Sequence, residues 1–385
     1  MTQTDGKVIR FNEPYLTGNE MTYIKQVFEN NHFQGNGPFT QKCQGWLKDY
    51  LGVPHVLLTD SCTSALEISA LLLKQQPTDE VILPSYTFSS TASAFARAGY
   101  TLRFAEIDPA TMMMDVDHVK ALTGANTRAI VPVHYAGIPA NLSPLMRHCE
   151  RHDIDLVEDA AQALGSVLGS KKMGTFGRLA CFSFHETKNI HAGLAGALAI
   201  NDESLIDRAT YIWERGTNRQ AVLQGLVDKY TWVEVGGSFY PSELQAAFLF
   251  AQLEGLAENI EGRRPLFDAY VRGLSPLQEQ GLLSLPPIPN DLDFNHHACF
   301  VIFRSADECQ KVRKHLVAQQ IHAYIGYIPL HSSPVGQSMG YVASDLPVTE
   351  EYAARVLRLP MHHKMTADDA INITQQIQVA LTHDN

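Results

Sequence analysis

Apolar residues fall in short runs through the first two-thirds of the chain, separated by polar and turn-rich segments. The runs at 55–59, 80–83, 101–107, 128–137 and 154–158 are rich in Val, Ile, Leu or Phe. They are continuous rather than alternating, which predicts strands buried on both faces, as in a parallel sheet covered by helices. Helical segments interleave with them, at 62–74, within 84–99 and at 142–152. The expected fold class is therefore α/β, with a mostly parallel central sheet flanked by helices. At its centre lies the stretch 155–199, DLVEDAAQALGSVLGSKKMGTFGRLACFSFHETKNIHAGLAGALA. It reads as a buried strand ending in Glu158 and Asp159, then a short helix carrying Gln162, a loop, and a second apolar strand from Cys181 to Phe184.

The pattern changes towards both ends. An irregular N-terminal arm precedes helices at 18–28 and 39–50, and QGNGP between them reads as a connector. The strand at 55–59 feeds DSCTSALEISALLLK, where Asp60 or Ser61 is positioned to cap a helix starting near Cys62. Residues 211–241 form a long irregular stretch, unusual in a compact domain unless it has a function. A helix capped by Ser242 follows, then a long helix at 254–270. The proline-rich LSLPPIPNDLDFNHH leads into strands at 298–304 and 321–331, and a last helix starts after Thr366. Two domains are expected, residues 1–255 and 256–385.

Composition narrows the function. With 385 residues, 45% hydrophobic and 18% charged, the chain has the make-up of an ordered enzyme. A net charge of -11 without a basic tail speaks against nucleic acid and against an anionic membrane surface. Six scattered cysteines without a C-x-x-C pair predict free thiols in a reducing compartment. The N-terminus has no apolar signal region and no run approaches a membrane span, so a cytoplasmic protein is expected. Neither G-x-G-x-x-G nor a P-loop is present, and the histidines show no metal-ligand spacing, so no metal is expected.

The carboxyl ends of parallel strands converge on a ligand crevice. A lysine in a loop is ordinarily a solvated charge, but the company of Lys188 changes that reading. Asp159 ends a buried strand, where an unpaired carboxylate is costly, and a protonated pyridine nitrogen would partner it. An acid at one strand end and a lysine past the next would together hold pyridoxal 5'-phosphate. Gln162 is placed to meet the ring's phenolic oxygen. Ser183 and the N–H groups near Cys62 and Thr63 are placed to meet the phosphate. Tyr86 and Phe88 lie just beyond a strand end, where an aromatic side chain more often packs in the core but can also cover a planar ring.

These segments also resemble a known family. VEDAAQ (157–162), FSFHETKN (182–189), PSYTF (84–88), PVHYAG (132–137), EVGGSFYPSELQAA (234–247) and YIPLH (327–331) are similar to the pyridoxal-phosphate-dependent nucleotide-sugar aminotransferases, which have the aspartate aminotransferase-like fold, type I. Within them the chain most resembles the dTDP-4-amino-4,6-dideoxygalactose transaminases of enterobacterial common antigen biosynthesis. The resemblance implies Lys188 as the Schiff-base lysine and Asp159 as the partner of the ring nitrogen. It places Gln162 beside the ring oxygen and Phe88 on the ring. Cys62, Thr63 and Ser183 would bind the phosphate, with Ser238 reaching in from the second subunit of a homodimer with shared active sites. Arg219, Tyr327 and His331 are candidates for the sugar nucleotide. L-Glutamate would donate the amine and a dTDP-4-dehydro-6-deoxy-hexose would accept it at C4. A C4-epimeric or another 3- or 4-amino nucleotide sugar is the alternative, and a catalytically silent regulatory protein on the same fold a remote one. Lys188 itself speaks for transamination, since dehydrating members carry histidine there. One departure is IHAGLAGALAI, where Leu194, Ala195 and Ala197 occupy a segment that is glycine-dense in the relatives.

Overall fold

The computed structural model describes residues 7–382 apart from 75 and 224. The first six residues of the expected arm and the last three of the chain lie outside the described residues. Seven strands make the large sheet: His55–Thr59 (β1), Glu80–Pro84 (β2), Thr101–Ala105 (β3), Thr127–Ile130 (β4), Asp155–Asp159 (β5), Leu179–Ser183 (β8) and Gly196–Ile200 (β9). Val167–Leu168 (β6) and Lys171–Lys172 (β7) pair instead with Leu292–Asp293 (β11) in a small separate sheet. The large sheet runs β1-β9-β8-β5-β4-β2-β3.

β3, β2, β4, β5 and β8 are mutually parallel, whereas β9 runs antiparallel to both β8 and β1. Only residues 184–195 join β8 to β9, without a crossover helix, and a parallel return needs such a crossover. The run GALAI, not foreseen as a strand, is thereby drawn into the sheet.

Successive side chains on these strands enter two different cores. Val56, Leu58, Ile82, Leu156, Phe182, Ala197 and Ala199 face one side, while Leu57, Val81, Leu83, Val157, Cys181, Leu198 and Ile200 face the other. That two-sided burial is why the runs read as continuous rather than alternating. The first face is covered by Glu20–Asn30 (α1), Pro38–Leu51 (α2), Val116–Leu122 (α5), Leu142–His152 (α6) and Glu243–Glu254 (α9). Cys62–Leu73 (α3), Ser89–Arg97 (α4) and Ile206–Trp213 (α7) cover the second. The buried carboxylate of Glu243 ties α9 to the start of α2, accepting from the N–H groups of Gly37, Phe39 and Thr40 at 2.7–3.1 Å. Arg219–Leu223 (α8) lies within the irregular excursion.

Residues beyond 256 build a second, antiparallel sheet of Leu283–Ser284 (β10), Cys299–Phe303 (β12), Tyr324–Ile325 (β13) and Val356–Leu359 (β14), in the order β10-β12-β14-β13. Leu256–Glu279 (α10), Ala306–Ala318 (α11) and Ala367–Thr382 (α14) pack with its outer face around a core that also takes in Ile9 from the arm. Its inner face turns Phe300, Ile302 and Val356 towards Tyr86, Ile107 and Tyr135 beside the large sheet. Pro334–Ser338 (α12) and Pro347–Ala353 (α13) complete the chain's helices among the described residues.

Three local expectations are corrected. Residues 161–165 are a run of turns, not a short helix: Ala163 and Ser166 donate to carbonyls three residues back, and Gly165 then reverses the chain at φ +95°. The strand expected at 321–331 is reduced to an isolated bridge of Ile321 with Ile9 and the two residues of β13, beyond which Gly326 packs against Tyr86 where a Cβ would overlap the phenol. α10 continues past Tyr270 to Glu279 and carries Pro265 and Pro276 within it.

Gly196 is one of two glycines in IHAGLAGALAI, with Gly193, and the fold shows why a side chain is excluded at 196. It sits between Thr59 and Ser183 in the sheet, and a Cβ would overlap the backbone of Ser61 and Cys62 at the start of α3. Gly196→Ala should therefore cost about 1–3 kcal/mol in denaturant unfolding through overpacking. Gly45→Ala, mid-helix with open space around its Cβ position, should instead gain about 0.5–1 kcal/mol.

Candidate active site

A cleft of about 410 Å³ opens between the two sheets, at the carboxyl ends of β5 and β8. Asp159 and Lys188 both line it. Asp159 is brought there by β5, which pairs in parallel with β8 in the register Asp159 opposite Cys181. Only 4% of its surface is exposed. Thr91 donates its hydroxyl to Oδ2 at 2.7 Å and the N–H of Ala161 donates to Oδ1 at 3.2 Å. Burial pushes the carboxyl pKa up, against the lowering effect of Thr91, Ala161 and the cation of Lys188. Lys188 follows β8 across a tight turn in which its N–H donates to the His185 carbonyl at 2.9 Å. Burial pulls its amine pKa down, opposed by Cys62 and Asp159. The neutral amine of such a lysine is a nucleophile and a proton acceptor.

The start of α3 forms a second part of the cleft. Ser61 caps the helix, its Oγ accepting from the N–H of Ser64 at 3.1 Å. The N–H groups of Cys62 and Thr63 have no intrahelical acceptor, and they stand at the positive end of the helix dipole. Thr63 adds a hydroxyl, 2.7 Å from that of Ser90. Ser183, at the end of β8, faces the same space across Gly196. Burial raises the Cys62 thiol well above its usual range, so it stays a neutral neighbour rather than a nucleophile.

Gln162 bridges the two walls: its Oε1 accepts from the Ala136 N–H at 2.8 Å, and its Nε2 donates to the Tyr327 hydroxyl at 3.0 Å. Phe88 lies at the mouth, 60% exposed, with its ring centroid 6.3 Å from that of Tyr327.

Eight of the residues singled out in the sequence thus meet in one cleft: Cys62, Thr63, Phe88, Asp159, Gln162, Ser183, Lys188 and Tyr327. Three do not line it. Arg219 is bound 2.8 Å from the buried carboxylate of Glu214. Ser238 lies on the excursion, bridged to Glu214. His331 is fully buried with Nδ1 2.7 Å from the Ser85 hydroxyl, which pins the loop carrying Tyr327 to the end of β2. Other lining residues had gone unmarked, among them Thr91, His297 and Arg358. Thr91 carried no signal beyond membership of a Ser/Thr-rich helix start. Arg358 did carry one, a cation at the third position of VLRL, where a buried strand alternates apolar side chains.

The donor set fits pyridoxal phosphate: a buried acid in search of a cationic partner, an amine shifted towards neutrality, and free N–H groups at a helix start suited to a phosphate. The comparisons with known proteins agree. Residues 14–378 match the model of the DegT/DnrJ/EryC1/StrS aminotransferase family. The chain is 29% identical to a dTDP-4-dehydro-2,3,6-trideoxy-D-glucose 4-aminotransferase of Saccharopolyspora spinosa, over 98% of this chain and 97% of the relative. It is 26% identical to a GDP-perosamine synthase of Escherichia coli O157:H7, over 96% and 98%. The crystal structure of the aminotransferase TlmJ from Streptoalloteichus hindustanus superposes with a TM-score of 0.88 at 28% identity, over 97% of this chain and 98% of that one. The chain belongs to the DegT/DnrJ/EryC1/StrS family of pyridoxal-phosphate-dependent sugar aminotransferases and has their type I fold.

The raised pKa of Asp159 has a thermodynamic consequence. Stability present below the ordinary carboxyl range is lost as pH rises from that range through the raised value, because the fold disfavours the charge. Asp159→Asn mimics the protonated form. In cofactor-free protein it should raise the melting temperature at neutral pH, by an amount that shrinks on acidification, while turnover of the cofactor-loaded enzyme falls steeply. A calorimetric series over pH checks this, and a lower melting temperature at neutral pH contradicts it.

Proposed function

We propose that this enzyme transfers the amine of L-glutamate to C4 of a dTDP-4-dehydro-6-deoxy-hexose, giving dTDP-4-amino-4,6-dideoxygalactose and 2-oxoglutarate. The observation that carries the reading is the convergence of Lys188, Asp159 and the start of α3 on one cleft. The Saccharopolyspora spinosa relative, named for amination at C4 of a dTDP-linked ketosugar, supports the choice of acceptor.

Pyridoxal phosphate, when bound, supplies an aldehyde that takes up the amino group and a ring that draws electrons from the adjoining carbon. The protein's own groups do the rest. Lys188 holds the cofactor through its amine and, once released, moves the proton to and from the substrate carbon; its lowered pKa suits a base at neutral pH. Asp159, held by Thr91 and Ala161, keeps a proton on the ring nitrogen. Gln162 would face the ring oxygen and Phe88 would cover the ring. The N–H groups of Cys62 and Thr63 would hold the phosphate with Ser183, joined by Ser238 of a second copy.

A homodimer is part of this proposal. The excursion that carries Ser238 exposes Leu226, Trp232 and Val235 at 65–73%, a surface suited to burial against another subunit. Arg219 on the same excursion and Tyr327 are assigned to the sugar nucleotide, Arg219 from the second subunit, and His331 to gating through the Tyr327 loop. We assign residues 1–255 to a cofactor-binding domain and 256–385 to a smaller one, consistent with the separate core behind the second sheet. No helix among the described residues is long and apolar enough to cross a membrane, and all six cysteines are free, which supports action in the cytoplasm.

Lys188→Ala should lower turnover by at least about 1,000-fold, given what a positioned nucleophile and base contribute, and should remove the visible absorption of lysine-bound cofactor. Supplying wild-type enzyme with L-glutamate and a panel of dTDP-, GDP- and UDP-linked ketosugars should yield the 4-amino-galacto product from the dTDP substrate. An amine at C3, or the gluco epimer, would overturn the choice of acceptor or product.

A further inference from the structure

His297 lines the cleft and, together with Lys188, a small adjoining recess. The reaction above gives it no task, yet its imidazole is fixed from several sides. The His297 N–H donates to Oδ1 of Asn295 at 3.0 Å, and Arg263 donates to the His297 carbonyl at 2.7 Å. Nδ1 of the ring stands 3.0 Å from Oδ1 of Asn189, the residue after Lys188. The Asn189 amide is held in that orientation, because its Nδ2 donates to the Asn295 carbonyl at 2.8 Å. An amide oxygen only accepts, so Nδ1 carries the ring proton. Asn295 is locked in the same way, its Nδ2 donating to the carbonyls of Gln162 and Leu164 at 2.8 and 2.9 Å. Burial holds the imidazole neutral, with the cations of Lys188, Arg263 and Arg358 adding to the effect. Its second nitrogen, Nε2, is therefore a bare acceptor, and it has no hydrogen-bond partner among the described residues.

We infer that His297 Nε2 accepts a hydrogen bond from the C3 hydroxyl of the sugar acceptor and so selects acceptors that carry it; this rests on the reading of the acceptor as a 4-ketosugar. The substrates sort by their hydrogen-bond chemistry. The carboxylates of an amino donor and the phosphates of a nucleotide are themselves acceptors, and a bare lone pair repels them. The ammonium of the donor gives up its protons as it reacts, so it holds no lasting contact. Sugar hydroxyls keep theirs. Which hydroxyl meets the ring follows from Lys188, which works at the reacting carbon and shares its recess with His297. In a 4-dehydro-6-deoxy-hexose, C4 has two neighbours: C3, which bears a hydroxyl, and C5, which bears a methyl group and the ring oxygen. The hydroxyl nearest the reaction is the one on C3. Once the sugar fills the cleft and displaces water, a substrate without that hydroxyl leaves the fixed nitrogen unpaired, and a site built around a hydrogen bond rejects such an analogue.

The test is a cycle between the side chain and the hydroxyl, run on the holoenzyme with saturating L-glutamate. His297→Phe keeps a planar ring and removes the acceptor. kcat/KM is measured for a dTDP-4-dehydro-6-deoxy-hexose and for its 3-deoxy and 2-deoxy analogues. Wild-type enzyme should prefer the 3-hydroxy sugar over the 3-deoxy analogue by about 10- to 100-fold, the scale of a buried acceptor left unpaired. In His297→Phe that preference should narrow to less than about three-fold, while the preference over the 2-deoxy analogue should be the same in both enzymes. A second measurement decides the matter should the variant fail to fold. In wild-type holoenzyme with isotopically labelled histidine and no amino donor, nuclear magnetic resonance should show the His297 Nε2 signal in the range of an unprotonated nitrogen. Binding of the 3-hydroxy sugar should move it towards the hydrogen-bonded range, and binding of the 3-deoxy analogue should not. A preference unchanged by His297→Phe, coupling to the C2 hydroxyl instead, or an Nε2 signal that the 3-hydroxy sugar does not move overturns the inference. Equal use of the 3-hydroxy and 3-deoxy sugars by wild-type enzyme overturns the inference alone, whereas amination of none of the 4-ketosugars overturns the proposed function with it.

Discussion

The cost of burying one carboxylate organises this molecule. Asp159 ends a strand that is buried on both faces, so its charge faces a low-dielectric interior with only Thr91 and one backbone N–H to meet it. Two hydrogen bonds do not restore the hydration lost, and the carboxyl pKa stays raised. Such a group persists in a fold when a bound cation compensates it. Lys188 shows the opposite shift for the same reason, and the pair forms a site poised for a cofactor carrying both a basic nitrogen and an aldehyde.

The sheet makes that site rigid. β5 and β8 are hydrogen-bonded neighbours, so the acid and the segment leading to the lysine are held in register by the backbone. β9 lies beside β8 and brings Gly196 under the start of α3, which lets the helix approach within reach of Ser183. Leu194, Ala195 and Ala197, on either side of Gly196, leave this point of contact intact. Ala195 and Ala197 are buried in the core, and Leu194 faces the cleft half-exposed.

The two sheets divide the labour. The large sheet supplies the acid, the lysine and the helix start, all of which line one side of the cleft. The second sheet and its loops supply Tyr327, His297 and Arg358, which face the remaining volume. Arg263 secures this second wall from behind: wholly enclosed, it donates to the carbonyls of His296, His297 and Met361 at 2.7–3.1 Å, fixing two cleft-lining residues by backbone contacts. Gln162 and Tyr327 join the walls by a single hydrogen bond.

The amino-acid sequence by itself determined the layered α/β class, the parallel core strands and the positions of Asp159 and Lys188 at and just past strand ends. Each depends on local information: continuous apolar runs follow from two-sided burial, and an acid or lysine at a strand end is visible as a break in such a run. The reversed direction of β9 and the turns at 161–165 were decided by tertiary structure, since sheet direction depends on how the chain returns rather than on the composition of the strand. The same holds for Thr91 and Arg358. Thr91 meets Asp159 across 68 positions of sequence, and Arg358 reaches the cleft from a different sheet. The residues next to Thr91 do not mark its contact, and the apolar neighbours of Arg358 mark a buried cation without showing what it faces. Such contacts arise when separate elements pack face to face and the cost of isolated charge selects which side chains face one another.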